Sequence, residues 1–157
     1  MDERLSWMTS EQRETMVSRV NQAGRAVGIV FRGGGMVGRT REAHRVLRLV
    51  QDCGIDEGVR DAFVEGVFEV YHVLERDISS REVVREIAVD SGIDAVIVSE
   101  WLGSDVAGDV VDEEARRNKE TGNPGVPRFV IQGEHRIEGA SDPMEFVETF
   151  VKTKEEA

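Results

Sequence analysis

Cysteine is nearly absent: Cys53 is the only one in 157 residues. A lone thiol can form neither an intramolecular disulfide nor a thiolate metal cluster, so both are excluded within this chain. Histidine is scarce too, and His44, His72 and His135 lie far apart with no metal-ligand spacing among them, so no metal site is expected. Aromatics make up 6% of the residues against 32% charged, which leaves a core to be built mainly from aliphatic side chains. No uncharged run approaches a membrane span, and Met1-Asp2-Glu3-Arg4 carries no apolar signal region. The expectation is a soluble, cytoplasmic protein with no membrane partner. Lys and Arg number 20 against 31 Asp and Glu, a formal net charge of -11. That balance argues against nucleic acid, whose affinity rests on neutralising phosphates, and reads as a solvated surface.

What is present is mostly helix signal. The length suits a single domain, with a helical region over about 9–122 and a strand-containing region over about 123–151. Thr9-Ser10-Glu11-Gln12 fits a capping box, and the helix it opens runs to about Ala23 with Met16, Val17, Val20 and Ala23 on one face. Thr40 caps a second helix whose apolar stripe is Ala43, Val46, Leu47 and Val50, with His44 at its edge. Cys53-Gly54 ends that helix, and there the negative end of the dipole and the adjacent Asp52 oppose a thiolate. Cys53 is therefore expected to pack rather than attack.

A third helix is predicted from about Glu57 to Leu74 on the face Val59, Phe63, Val67, Val70, Tyr71 and Leu74. Gly66 inside it marks close helix packing. Ser79-Ser80-Arg81-Glu82 reads as another capping box, ahead of a helix closed by Ser91-Gly92. Asp94 caps a short helix that Gly103-Ser104 breaks, and a charged helix starts at Asp105 and ends near Gly122.

Between the first two helices, Val27-Gly28-Ile29-Val30-Phe31 is a short extended candidate followed by Gly33-x-Gly35-x-x-Gly38. The glycine spacing matches the dinucleotide fingerprint. That fingerprint also needs a second parallel strand ending in an acidic residue, and Asp56 onward continues as helix instead. The glycines read as a flexible loop.

The stretch from Asn123 to Gly133 is different in kind. Pro124, Gly125 and Pro127 rule out helix, and Phe129-Val130-Ile131 is a β-branched and aromatic run bounded by turn formers. Gln132-Gly133-Glu134 closes a hairpin into His135-Arg136-Ile137-Glu138, which Gly139-Ala140 ends. Ser141 then suits the N-cap and Pro143 the first turn of a last helix striped with Phe146, Val147, Phe150 and Val151.

This strand, turn, strand and helix, entered through Gly125-Val126-Pro127 and left through Gly139-Ala140, resembles the C-terminal half of a DsbA-like thioredoxin fold. The closer resemblance is to the FrnE-like and 2-hydroxychromene-2-carboxylate isomerase branch. Gly38-Arg39-Thr40 followed by Ala43-His44 is similar to a recurrent segment of that branch, with Arg39 where asparagine is usual.

The fold class so implied is mostly α with a small β-hairpin, a truncated thioredoxin-like α/β fold dominated by its helical insertion. The resemblance implies a cis bond between Val126 and Pro127 that presents the Val126 backbone to an extended substrate. It implies Val126, Pro127, Thr40 and His44 as substrate-binding residues, and a small molecule or extended peptide as partner. The isomerase members imply glutathione, for which no residue can be assigned; no other cofactor is evident. The family's first strand, Cys-x-x-Cys helix and second strand have no counterpart in these residues, so dithiol exchange lacks both its attacking and its resolving thiol. An incomplete gene product, a member repurposed for binding, or a chain completed as a homodimer would each account for this.

Overall fold

A computed structural model describes residues 8–34, 36, 38–120, 127–139 and 141–155. Among them the chain forms seven α-helices and one two-stranded antiparallel sheet. It divides into two compact units, Met1–Val111 and Asp112–Ala157.

In the first unit, α1 (Ser10–Ala26) opens on the expected capping box: Gln12 N donates to Thr9 Oγ1 at 3.2 Å and Thr9 N donates back to Gln12 Oε1 at 2.8 Å. Its expected apolar face is not buried. Val17 and Val20 stay exposed, and only Gly24 is enclosed, with Phe31 laid against it. Residues 27–31 form no strand, because among the described residues of this unit no strand lies beside them to pair with. Val27 and Ile29 instead donate back to the Gly24 carbonyl, and Arg32 donates to the His72 carbonyl at 2.8 Å.

The core of this unit is made by α2 (Arg41–Asp52), α3 (Glu57–His72), α4 (Arg81–Asp90) and α5 (Ala95–Gly103). Val46, Leu49, Phe63, Val84, Ile87 and Val98 are its fully or nearly fully enclosed members. Gly66 on α3 does mark a close approach, since a Cβ there would lie 2.8 Å from Ile87 Cγ2 on α4. Leu74 lies beyond α3 and is half exposed, because the helix ends at His72 and Glu75 takes a positive φ of 57°. Ser80, not Ser79, caps α4: its hydroxyl accepts from Val83 N, while the Ser79 hydroxyl and amide both donate to Asp77. Asp94 caps α5 as expected, accepting from Val96 N and Ile97 N. The next helix, α6 (Gly108–Glu120), starts later than expected, since Asp105 and Ala107, the latter at a φ of 60°, form a turn before it.

The unit is tied internally by a buried cation. Arg45 on α2 has no exposed surface, and it donates to Glu42 Oε2 at 2.7 Å and to the carbonyls of Trp101, Ser104 and Val106 at 2.8, 2.7 and 3.1 Å. Each of those carbonyls belongs to the end of α5 or the turn after it, where helix termini leave acceptors unsatisfied. One side chain of fixed fork geometry serves them all.

The second unit holds β1 (Arg128–Ile131), β2 (His135–Glu138) and α7 (Pro143–Glu155). The strands pair Phe129 with Ile137 and Ile131 with His135, and the turn between them places Gln132 and Gly133 at positive φ. Arg128 and Glu138, opposite each other, form an ion pair at 3.0 Å. Phe146 of α7 meets Phe129 edge to face at 4.8 Å between ring centres, and Ile137 is buried. Asp142, not Ser141, caps α7 by accepting from Met144 N at 2.8 Å; the Ser141 hydroxyl donates to the Glu138 carbonyl. Of the expected stripe only Phe146 is substantially covered, while Val147, Phe150 and Val151 stay exposed.

Candidate functional site

Two helix faces in the first unit turn toward each other and leave a groove. Thr40, Ala43, His44 and Leu47 repeat at helical spacing along α2 and its cap. Phe63, Val64, Val67, Phe68, Tyr71 and His72 repeat in the same way along α3, with Gly38 and Ile78 at the margins. The space enclosed is about 480 Å³, within the range of sites for small molecules. The structure thus brings together Thr40 and His44, two of the residues expected at a site.

Thr40 stands at the N-cap of α2 but does not cap it. At φ -93° and ψ 13° its hydroxyl makes no bond to the helix amides. His44, one turn on, is exposed, and its imidazole has no hydrogen-bond or ion-pair partner among the described residues. Behind this rim, Gly38 sits so close to Ser79 and Asp77 that a Cβ there would collide with the Ser79 side chain. The Ser79 hydroxyl, bonded to Asp77 at 2.6 Å, holds the Asp77 carboxyl below its ordinary range, with the Ser79 amide adding to the effect.

Three groove residues went unsuspected as site members. Phe68, Tyr71 and His72 form an aromatic corner, with the His72 ring 4.7 Å from Tyr71, 5.4 Å from Phe31 and 6.2 Å from Phe68. The available signal was the matching stripes: 63, 64, 67, 68 and 71 on one helix against 40, 43, 44 and 47 on the other. A second cavity, of about 800 Å³, shares Phe68 and His72 with this groove. Its walls carry Glu65, Glu69, Arg76, Glu86 and Asp90.

The other expected site residues lie in the second unit. Val126 falls outside the described residues, and with it the geometry of the Val126–Pro127 bond. Pro127 opens the hairpin, its carbonyl accepting from Gly139 N at 2.7 Å. Cys53 is exposed and forms the C-cap of α2. The glycine loop offers no phosphate cradle in its described part: the Gly34 amide donates to Glu75 Oε1 at 2.6 Å, so a carboxylate holds the donor that a phosphate would need. Among the described residues no group of three or more His, Cys, Asp or Glu gathers as a metal site, and no helix is long and apolar enough to cross a membrane.

A DSBA-like thioredoxin domain matches residues 2–151, nearly the whole chain. The chain belongs to that family. A probable DsbA oxidoreductase from Streptomyces coelicolor is similar in structure, with a TM-score of 0.77 and 25% identity over 96% of this chain. The likeness covers 64% of that oxidoreductase, so this chain spans less than two thirds of its length. No curated protein matches. The helical unit and the hairpin with its helix are therefore DsbA-like, and the fold expected from residues 38–44 and 123–140 is the one found.

Proposed function

We propose that this chain is a DsbA-like protein of the oxidoreductase or isomerase class whose 157 residues supply a substrate-binding surface rather than a dithiol centre. The groove between α2 and α3 carries the reading, because Thr40 and His44 both line it. Their side chains are spent on nothing else in the described protein. The single thiol, Cys53, stands at the wrong end of α2 for activation by a helix N-terminus and has no second cysteine to resolve a mixed disulfide.

Within the family, Gly38 with Thr40 and Ala43-His44, together with Gly125-Val126-Pro127, favour the FrnE-like and isomerase branch. In this reading the Val126–Pro127 bond is cis and offers its backbone to an extended substrate. The second reading is a non-catalytic binding protein, favoured by the same lone cysteine. A thiol–disulfide exchange assay on the purified chain and on Cys53→Ser tests the proposal. Exchange no faster than the uncatalysed reaction in both is expected, and turnover that Cys53→Ser abolishes would overturn it.

A further inference from the structure

We infer that the larger cavity, of about 800 Å³, is a second binding site, separate from the α2–α3 groove, and that it takes a small organic cation with an apolar, ring-bearing body.

The cavity lies within the first unit, between residues 28–31 on one side and α3 and α4 on the other. Its wall at 28–31 is fastened down. Arg32 N donates to the His72 carbonyl at 2.8 Å, and the Phe31 ring meets the His72 ring edge to face. The space is therefore pre-formed, and its volume suits a small molecule.

Its apolar wall is open to solvent. Ile29, Val30, Phe68 and Leu74 all line this one cavity, and they are 41, 57, 54 and 52% exposed. A surface of large apolar side chains gathered in a concavity gains by covering itself with an apolar body. Phe68 adds an aromatic ring that suits another ring, or a cation held over its face.

The charge on the same walls selects the occupant. The one basic side chain there, Arg76, is already taken by Glu86 at 2.6 Å. Glu65, Glu69 and Asp90 have no ion-pair or hydrogen-bond partner for their carboxylates among the described residues. Glu65 and Glu69 stand one turn apart on α3, a like-charge spacing that costs a helix a few tenths of a kcal/mol. An apolar anion would meet three uncompensated carboxylates, whereas an apolar cation covers the open wall and relieves that repulsion. The α2–α3 groove, whose lining holds no Asp, Glu, Lys or Arg, offers a cation neither advantage.

The probes are tryptamine, a cation at pH 7, the neutral alcohol tryptophol and the anion indolepropionate, titrated into the full chain. The NMR methyl signals of Ile29, Val30 and Leu74 are followed, with Ala43 and Leu47 as reporters of the other groove. Tryptamine should shift the first set saturably, with a Kd of about 1 mM or tighter, and leave the second set in place. Tryptophol should bind at least about threefold more weakly, and indolepropionate more weakly again. Glu65→Gln and Glu69→Gln, both exposed changes, should each weaken tryptamine about threefold and leave tryptophol unchanged. Leu74→Ser should weaken tryptamine and tryptophol alike. No saturable shift at Val30 and Leu74, or a shift at Leu47 in their place, would overturn the inference. So would equal binding of tryptamine and tryptophol, or binding of ethylamine as tight as that of tryptamine. Saturation by a basic apolar peptide but by none of the three indoles would overturn it too. None of these outcomes bears on thiol exchange or on the α2–α3 groove, so the inference stands or falls separately from the wider reading.

Discussion

Arg45 and Trp101 hold each other reciprocally: the Arg45 guanidinium donates to the Trp101 carbonyl at 2.8 Å, and the Trp101 indole donates to the Arg45 carbonyl at 3.0 Å. The pair fastens α2, the helix that carries Thr40 and His44 at its start, to the end of α5. Removing the guanidinium leaves the Glu42 carboxylate, which is 9% exposed, with only Arg81 at 3.2 Å and Arg41 at 3.5 Å, and takes a donor from the carbonyls of Trp101, Ser104 and Val106, of which Trp101 keeps the Ser104 hydroxyl. Arg45→Ala is expected to cost about 3 kcal/mol, from the buried acceptors left unsatisfied and the space left by a fully buried side chain. Arg45→Lys should recover little of it, because an ammonium cannot reproduce the fork. Urea midpoints of the two variants check both statements.

That latch marks where the sequence stopped being readable. The caps at Thr9, Asp94 and the turn at Gln132-Gly133 could be found because each acts on residues within a few positions. Arg45 could not, since its carbonyl acceptors lie 56 to 61 residues away and it looks like any solvated arginine on an amphipathic helix. Leu49, 1% exposed, is illegible for the same reason: helical spacing also permits a stripe through Leu47, and only the arrival of α4 and α5 decides which side is inside. Residues 27–31 failed in the opposite direction. Their letters suit a strand, but a strand needs a neighbour, and the described fold gives them only the ends of α1 and α3. Of the groove's lining, Thr40 and His44 belong to the family pattern in the sequence, while Phe68, Tyr71 and His72 needed the facing helix.

Gly66→Ala should destabilise the first unit despite alanine's better helix propensity. The added methyl meets Ile87 Cγ2 at 2.8 Å, and overpacking of this kind costs about 1–3 kcal/mol against a gain of about 1. Ile87→Leu, which removes the branch at Cβ, should recover part of the loss in a double-mutant cycle. Additive effects would contradict the contact.

Acid should destabilise the chain through specific carboxylates. The hydrogen bond from Arg41 holds Asp105 below its ordinary 3.8, and those from Arg117 and then Arg116 hold Glu113 below 4.5. The Ser80 hydroxyl does the same for Glu82. A depressed folded value means the stabilisation is present above the ordinary value and is lost as pH falls through the folded one. Urea midpoints should therefore be insensitive to these groups between about pH 5 and 7 and decline below about 4.5. Asp105→Asn should make that decline shallower; an unchanged acid slope would exclude the Arg41 pairing as its source.

Cys53→Ser should leave the fold intact, since the residue is exposed and its part in the helix end is a backbone bond to the Leu49 carbonyl at 3.0 Å. A change of less than about 0.5 kcal/mol in the urea midpoint is expected, as for surface substitutions away from special features.

The most direct test of a binding rather than a redox role is the rate at which the purified chain exchanges thiols with a glutathione disulfide substrate, compared with Cys53→Ser. The account predicts that both proteins leave the rate at that of the uncatalysed reaction. Catalytic turnover by the natural chain that vanishes in Cys53→Ser would contradict it.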